Sequence, residues 1–357
     1  MRLVIDARFT RFDRHDGISR YGASLAAAIA EHADVVLLVH DRRQLPLLPD
    51  LPFVLMHSPL SPKELFSART INRLQPDVVF CPMQTMGSWG RKYPLVLTLH
   101  DLIYYQNRTP PSFLPLPVRA LWRLYHHGYW PQRLLLNRAD VVATISRTTA
   151  GLIAQHRLTR RPVRIVGNAP QHAPASSAGP RQKSLIYMGS FMPYKNVETL
   201  ITAMGALPDY TLHLLSRITP QRRRELEARL PPEAQVVFHN GVSDSQYESL
   251  LGTATALVSL SLAEGYGLPL IEAMAAGTPV IASDTPIFRE VGGDAAILVD
   301  PHSPDAVARA VRSLDDPQHW REVVASGLSQ ASGYSWSASA AELLSAVETA
   351  QRVHSLR

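Results

Sequence analysis

Short runs dominated by apolar residues recur along the first half of the chain, at Leu3–Ile5, Val35–Val39, Asp77–Phe80, Leu95–Leu99 and Val141–Ile145. Longer amphipathic stretches such as 18–32 separate them. Strands without a polar alternation are those buried on both faces, so the pattern predicts a parallel sheet flanked by helices. After residue 180 the alternation restarts, at Leu185–Met188, Tyr210–Leu215, Val236–Phe238, Ala256–Leu260, Pro279–Ala282 and Ala296–Val299. Between the two sets, Gln171–Pro180 is made of small residues and prolines without periodicity, as in a linker. The expected fold is α/β, with two doubly wound Rossmann-like domains facing across a cleft. The expected boundaries are 1–170 for an N-terminal Rossmann-like domain, 171–180 for the linker and 181–334 for a C-terminal Rossmann-like domain. Residues 335–357, alanine-rich and helical from Ser335 to about Arg352, are expected to pack back on the N-terminal domain.

Composition narrows the classes. The 357 residues are 46% hydrophobic and 18% charged, which is globular. The single cysteine, Cys81, cannot form an internal disulfide, and a reducing compartment follows as the expectation. The start of the chain lacks the pattern of a secretory signal, and no apolar run approaches the ~18 residues that span a bilayer. Charge is uneven: residues 1–172 carry 22 Lys and Arg against 11 Asp and Glu, whereas 173–357 carry 14 against 19. Residues 104–164 hold ten arginines and one acid, Asp140, which suits a phosphate-bearing partner.

The chemistry concentrates in Ser261–Ile281. This window follows a strand and opens a helix, with Pro269 suited to the first helical turn and Gly277 to the residue just past the end. Gly265 and Gly267 leave the backbone bare beside Tyr266 and Leu268, and free amides at a helix start can cradle a phosphate or a sugar hydroxyl. Glu264 and Glu272 flank the loop eight positions apart, and carboxylates accept hydrogen bonds from vicinal hydroxyls. Favourable placement at a helix N-terminus would also account for Glu272, but not for Glu264, which follows an apolar strand.

The window resembles the E-x7-E signature of retaining glycosyltransferases of the GT-B fold, specifically glycosyltransferase family 4, which includes bacterial α-mannosyltransferases. The resemblance covers residues 236–301 nearly element by element, and extends to Gly17-Ile18-Ser19-Arg20-Tyr21 and His100-Asp101-Leu102. It implies that Glu264 holds the donor sugar, Glu272 the nucleotide ribose and Lys195 the donor diphosphate, with His100 near the transferred sugar and Gly17 near the donor phosphate. Independently, Asn196 reads as a helix N-cap, which puts the Lys195 charge where a strand ends and a helix starts. An exposed turn lysine, a structural histidine and a turn glycine are the plain alternatives for Lys195, His100 and Gly17. Many relatives place arginine where Ser190 stands, and Arg217 or a helix N-terminus is the candidate substitute; the resemblance further implies that 1–170 is the acceptor-side domain and 181–334 the nucleotide-sugar-binding one.

The resemblance implies transfer with retention. With no carboxylate placed as a nucleophile, the expected route is front-face, the departing diphosphate taking the acceptor proton. No Asp-x-Asp occurs, so no metal is expected, and the co-substrate is a nucleotide-sugar, with GDP-mannose as the choice. Residues 104–138 mix arginines with Trp122, Tyr125, Tyr129 and Trp130; positions 122, 125 and 129 fall on one helical face. Arg119, Trp122 and Arg123 thus form a candidate acceptor or anionic-membrane face, unless the aromatics pack inward. The expected partners are the donor and a glycan or lipid-linked glycan acceptor, without nucleic acid. The expected location is cytoplasmic, peripheral at the inner face of the membrane. A UDP-hexose enzyme and a non-catalytic binding subunit remain as alternatives. A nicotinamide dehydrogenase lacks its glycine fingerprint here, and a nucleic-acid binder lacks its basic blocks.

Overall fold

A computed structural model describes residues 1–110, 115–171 and 180–356. Most of the Gln171–Pro180 segment, residues 172–179, lies outside them. The chain divides into two compact units, Met1–Asn168 with Ser335–Arg357, and Ala169–Tyr334.

The first unit is built on β1 (Arg2–Asp6), β2 (Asp34–Val39), β3 (Phe53–Leu55), β4 (Val78–Cys81), β5 (Leu95–Leu99), β6 (Val141–Thr144) and β7 (Val163–Ile165). All pair in parallel, in the order β3-β2-β1-β4-β5-β6-β7. β4, β5 and β6 are buried along their whole length, as their continuous apolar runs require. Their side chains join Val4, Leu38, Ile71 and Ile153 in one core. The edge strands β3 and β7 escape the apolar pattern because each has three residues, half-exposed, and Arg164 interrupts the second.

The second unit carries β8 (Ser184–Tyr187), β9 (Thr211–Leu214), β10 (Gln235–Phe238), β11 (Ala256–Ser259), β12 (Val280–Ser283) and β13 (Ala296–Val299). They too are parallel, in the order β10-β9-β8-β11-β12-β13. In each sheet the strand order reverses direction at one place, between β1 and β4 and between β8 and β11. Such switch points are where open α/β sheets bind ligands, outside the carboxyl ends of the strands.

After Tyr334 the chain returns to the first unit. Ser335 caps the helix Trp336–Ser355 through the Ala338 amide at 3.1 Å. That helix packs along the helix Gly17–Ile29. Arg164 donates to Thr349 at 3.2 Å, and His354 lies 3.5 Å from the buried Asp140.

Candidate functional site

Two loops meet at the switch point of the second sheet. One follows β8 and runs through Gly189, Ser190 and Lys195; the other follows β11 and runs from Ser261 to Leu268. The Leu262 amide donates to Tyr194 O at 2.8 Å, joining them through the backbone. Their side chains join as well: the Lys195 ammonium forms a short ion pair with Glu264 Oε1. Lys195 and Glu264 are 14% and 16% exposed, so the plain alternative of a solvated turn lysine does not describe this residue. Ser261, itself buried, donates to the same oxygen at 2.8 Å. Glu264 Oε1 thus receives two hydrogen bonds, while Oε2 has no partner among the described residues.

The first loop is braced from beneath. Tyr187 donates to Ser190 O at 2.6 Å, and a Cβ at Gly189 would fall 2.9 Å from the Tyr187 oxygen. Burial, then the Glu264 charge, pushes the Tyr187 phenol well up, so it stays a donor. Arg222 donates to Phe191 O at 3.1 Å and pairs with Glu198 at 2.5 Å. Asn196 holds the N-cap position of the helix Val197–Ala203 without capping it by its side chain. Its backbone is left-handed, φ +53°, a conformation asparagine tolerates. Its side chain is engaged elsewhere, donating to Pro301 O at 2.7 Å and accepting from Thr199 at 2.8 Å. The expectation of an ordinary Asn cap is corrected on this point.

In the second loop Gly267 has φ +104°, and a Cβ there would lie 2.9 Å from the Phe288 ring. The helix Leu268–Ala275 starts immediately after it with no side-chain cap, while Tyr266 packs edge-on to Tyr334. Gly277, φ +73°, lies just past the helix end, as expected. Glu272 is the fifth helical residue, beyond the first turn, so the macrodipole explanation for an acid here is weak. Tyr247, on the helix Asp244–Thr253, donates to Glu272 Oε2 at 3.2 Å.

Arg217 is exposed and rests its aliphatic stem on Gly241. No hydrogen bond or ion pair joins it to Ser190 or Lys195 among the described residues. Nor do any three His, Cys, Asp or Glu side chains there form a metal-binding cluster.

In the first unit, His100 follows β5 and its Nε2 lies 2.7 Å from Pro82 O, beyond β4. A carbonyl only accepts, so Nε2 carries the proton and Nδ1 is the acceptor of a neutral ring. Burial pulls the His100 pKa down, which keeps the ring neutral at pH 7. Tyr21 stands edge-on to it at 5.1 Å. Gly17 is the first residue of its helix, where Asp16 accepts from the Ser19 amide at 2.9 Å and from Arg11 at 2.6 Å. At the carboxyl end of β1 the fully buried Arg8 bridges Asp6 at 2.7 Å and Glu64 at 2.6 Å. Glu64 also accepts from the Gly87 amide at 2.7 Å, so this network fastens the loops around the switch point.

The aromatic segment differs from its expectation. The helix Leu116–Tyr125 ends before Tyr129, which precedes a separate helix, Trp130–Leu136. Residues 126–129 separate the two helices, so 122, 125 and 129 do not lie on one helical face. Trp122 is half-buried against Tyr104 and His126, and the Arg119 Nε is buried with no hydrogen-bond partner among the described residues, whereas Arg123 is exposed. The outward residues are Leu116, Leu121 and Leu124, 76%, 66% and 68% exposed.

Residues 15–169 match the family described as Glycosyltransferase Family 4, and residues 170–323 the one described as Glycosyl transferases group 1. The chain belongs to glycosyltransferase family 4. It is 34% identical to O-antigen chain mannosyltransferase B of Escherichia coli, over 68% of this chain and 66% of that protein, just under two thirds of its length. It is 23% identical to O-antigen chain mannosyltransferase RfbU of Salmonella typhimurium, over 84% and 87%. Among solved structures, sucrose-phosphate synthase from Thermosynechococcus elongatus superposes with a TM-score of 0.71 at 20% identity, covering 96% of this chain and 97% of that one. Anabaena Alr3699/HepE, in complex with UDP and glucose, gives 0.71 at 17%, covering 96% and 99%. These likenesses give the fold of this glycosyltransferase as GT-B. The glycosyltransferase signature led directly to Lys195, Glu264 and Glu272. Ser261, Tyr247, Tyr187, Arg222 and Arg8, which hold the loops and the acids, carry no sequence signal, because their spacing belongs to the tertiary fold.

Proposed function

We propose that this glycosyltransferase transfers mannose, with retention, from GDP-mannose to a glycan or lipid-linked glycan in surface polysaccharide or glycolipid synthesis. The observation that carries the reading is the Lys195–Glu264 pair at the switch point, one oxygen of the acid held and the other open. Lys195 supplies a cation to the donor diphosphate, Glu264 Oε2 accepts from sugar hydroxyls and Glu272 accepts from the ribose. His100 Nδ1 offers an acceptor to a hydroxyl of the transferred sugar. The bond from the anomeric carbon to the diphosphate breaks as the acceptor oxygen bonds to that carbon. The acceptor proton passes to the departing phosphate oxygen, and the nucleoside diphosphate leaves. Rate enhancement lies in stabilising that leaving group and orienting the acceptor. Gly17, the first residue of its helix, and Arg217 are assigned to the donor phosphates. The names of the mannosyltransferase relatives support the choice of sugar.

The enzyme works at the cytoplasmic face of an anionic membrane in this reading. Its contact is the helix Leu116–Tyr125, whose outward leucines adjoin Arg123. No described helix is long and apolar enough to cross a membrane.

The test is incubation with GDP-mannose, UDP-glucose and ADP-glucose in turn, together with membrane lipid extract from a polysaccharide-producing bacterium. Labelled mannose is expected to enter lipid from GDP-mannose, in an α-linkage by NMR. Incorporation from UDP-glucose alone would replace the donor assignment, and an inverted linkage would refute the mechanism.

A further inference from the structure

Glu272 is placed by the second residue of a contact that crosses between two helices. It projects from the helix Leu268–Ala275, and a glutamate has three side-chain torsions that must be fixed for its carboxylate to take one orientation. Tyr247 comes from a different helix, Asp244–Thr253, whose start is fixed by a reciprocal capping box between Ser243 and Gln246. Its ring is 7% exposed, so packing holds its two torsions, and its hydroxyl reaches Glu272 Oε2 at 3.2 Å. A phenol that donates to a carboxylate selects one orientation of the acid before any ligand arrives.

We infer that Tyr247 is a positioning residue, orienting the Glu272 carboxylate for the vicinal hydroxyls of the donor ribose and so setting the enzyme's preference for ribonucleotides. The inference rests on the assignment of Glu272 to the ribose. Tyr247 touches no reacting atom; it acts through Glu272, by removing rotamers in which the carboxylate faces away from the ligand. The carboxylate therefore meets two hydroxyls of fixed geometry without losing side-chain freedom on binding. A ligand lacking those hydroxyls gains nothing from this arrangement.

Calorimetric titration of GDP and UDP, each beside its 2′,3′-dideoxy form, tests both layers. Wild type is expected to favour the tighter-binding ribonucleotide over its dideoxy form by 30-fold or more. In Glu272→Ala that ratio should collapse towards 1. In Tyr247→Phe the ratio should fall to a third or less of the wild-type value, through weaker ribonucleotide binding, with dideoxy affinity and melting temperature unchanged. Tyr247→Met, whose flexible apolar chain fills part of the ring's space without a hydroxyl, should lower the ratio likewise if the first variant proves unstable. A Glu272→Ala protein with the wild-type ratio, or wild type that binds neither nucleotide, would remove the ribose assignment and the inference with it. Collapse in Glu272→Ala with a wild-type ratio in both Tyr247 variants would leave the ribose assignment standing and overturn the role of Tyr247. Equal weakening of ribo and dideoxy forms would mark Tyr247 as a packing residue only, and would also overturn it.

Discussion

Glu264 is held through one oxygen. Lys195 and Ser261 converge on Oε1, so the acid is held in one orientation with Oε2 left without a partner among the described residues. The same loop depends on Gly267. An alanine at φ +104° adopts a conformation that costs an L-residue about 1–2 kcal/mol. Its Cβ would also press on the Phe288 ring from 2.9 Å. Gly267→Ala is therefore expected to destabilise the second unit by ~2 kcal/mol or more and to lower its melting temperature by roughly 4–8 °C. Thermal unfolding followed by circular dichroism checks this, and an unchanged transition would show that the loop is not constrained as described. The structure gives Gly267 a left-handed backbone, and this residue was legible in the sequence because a glycine before a helix start marks a turn. Ser261 and Tyr247 were not, since a serine three positions before the acid and a tyrosine 25 before it have no periodicity in common with it.

At the scale of elements, the buried strands could be read because continuous apolar runs have one physical use in a sheet covered on both faces. The edge strands β3 and β7 could not, since three half-exposed residues bury too little to leave a pattern. The helix Leu116–Tyr125 teaches a different point. Its aromatic residues turn inward, Trp122 onto Tyr104 and His126, and its leucines turn outward, which the one-face reading of residues 122, 125 and 129 had not resolved. If those leucines enter a bilayer, then Leu121→Glu with Leu124→Glu should lower co-sedimentation with phosphatidylcholine–phosphatidylglycerol vesicles by tenfold or more. Transfer to a water-soluble acceptor analogue should be unaffected. Equal vesicle binding by wild type and the double variant would remove the membrane contact from this helix.

For the whole molecule, the charge division between the halves follows the two units. The basic half contains the arginine-rich segment 104–164, and the acidic half holds Glu264, paired with Lys195, and Glu272, bonded to Tyr247. The return of Trp336–Ser355 to the first unit means that the two units are not consecutive pieces of chain. The sequence alone predicts a helix there packing back on the N-terminal domain, whereas the contacts involved, such as Arg164 with Thr349, leave no local pattern in the chain. The family, the α/β class and the glycine-bearing loop between Glu264 and Glu272 all follow from local sequence. What sequence could not convey is the bracing of that loop by Tyr187 and Arg222, and of the first unit's loops by Arg8.

The central claim is that these two loops hold an activated sugar, and a structure of the enzyme with GDP-mannose tests it most directly. The account predicts the terminal phosphate on the Lys195 ammonium, mannose hydroxyls on Glu264 Oε2 and the ribose on Glu272. Mannose bound away from Glu264, or a diphosphate out of reach of Lys195, would contradict it.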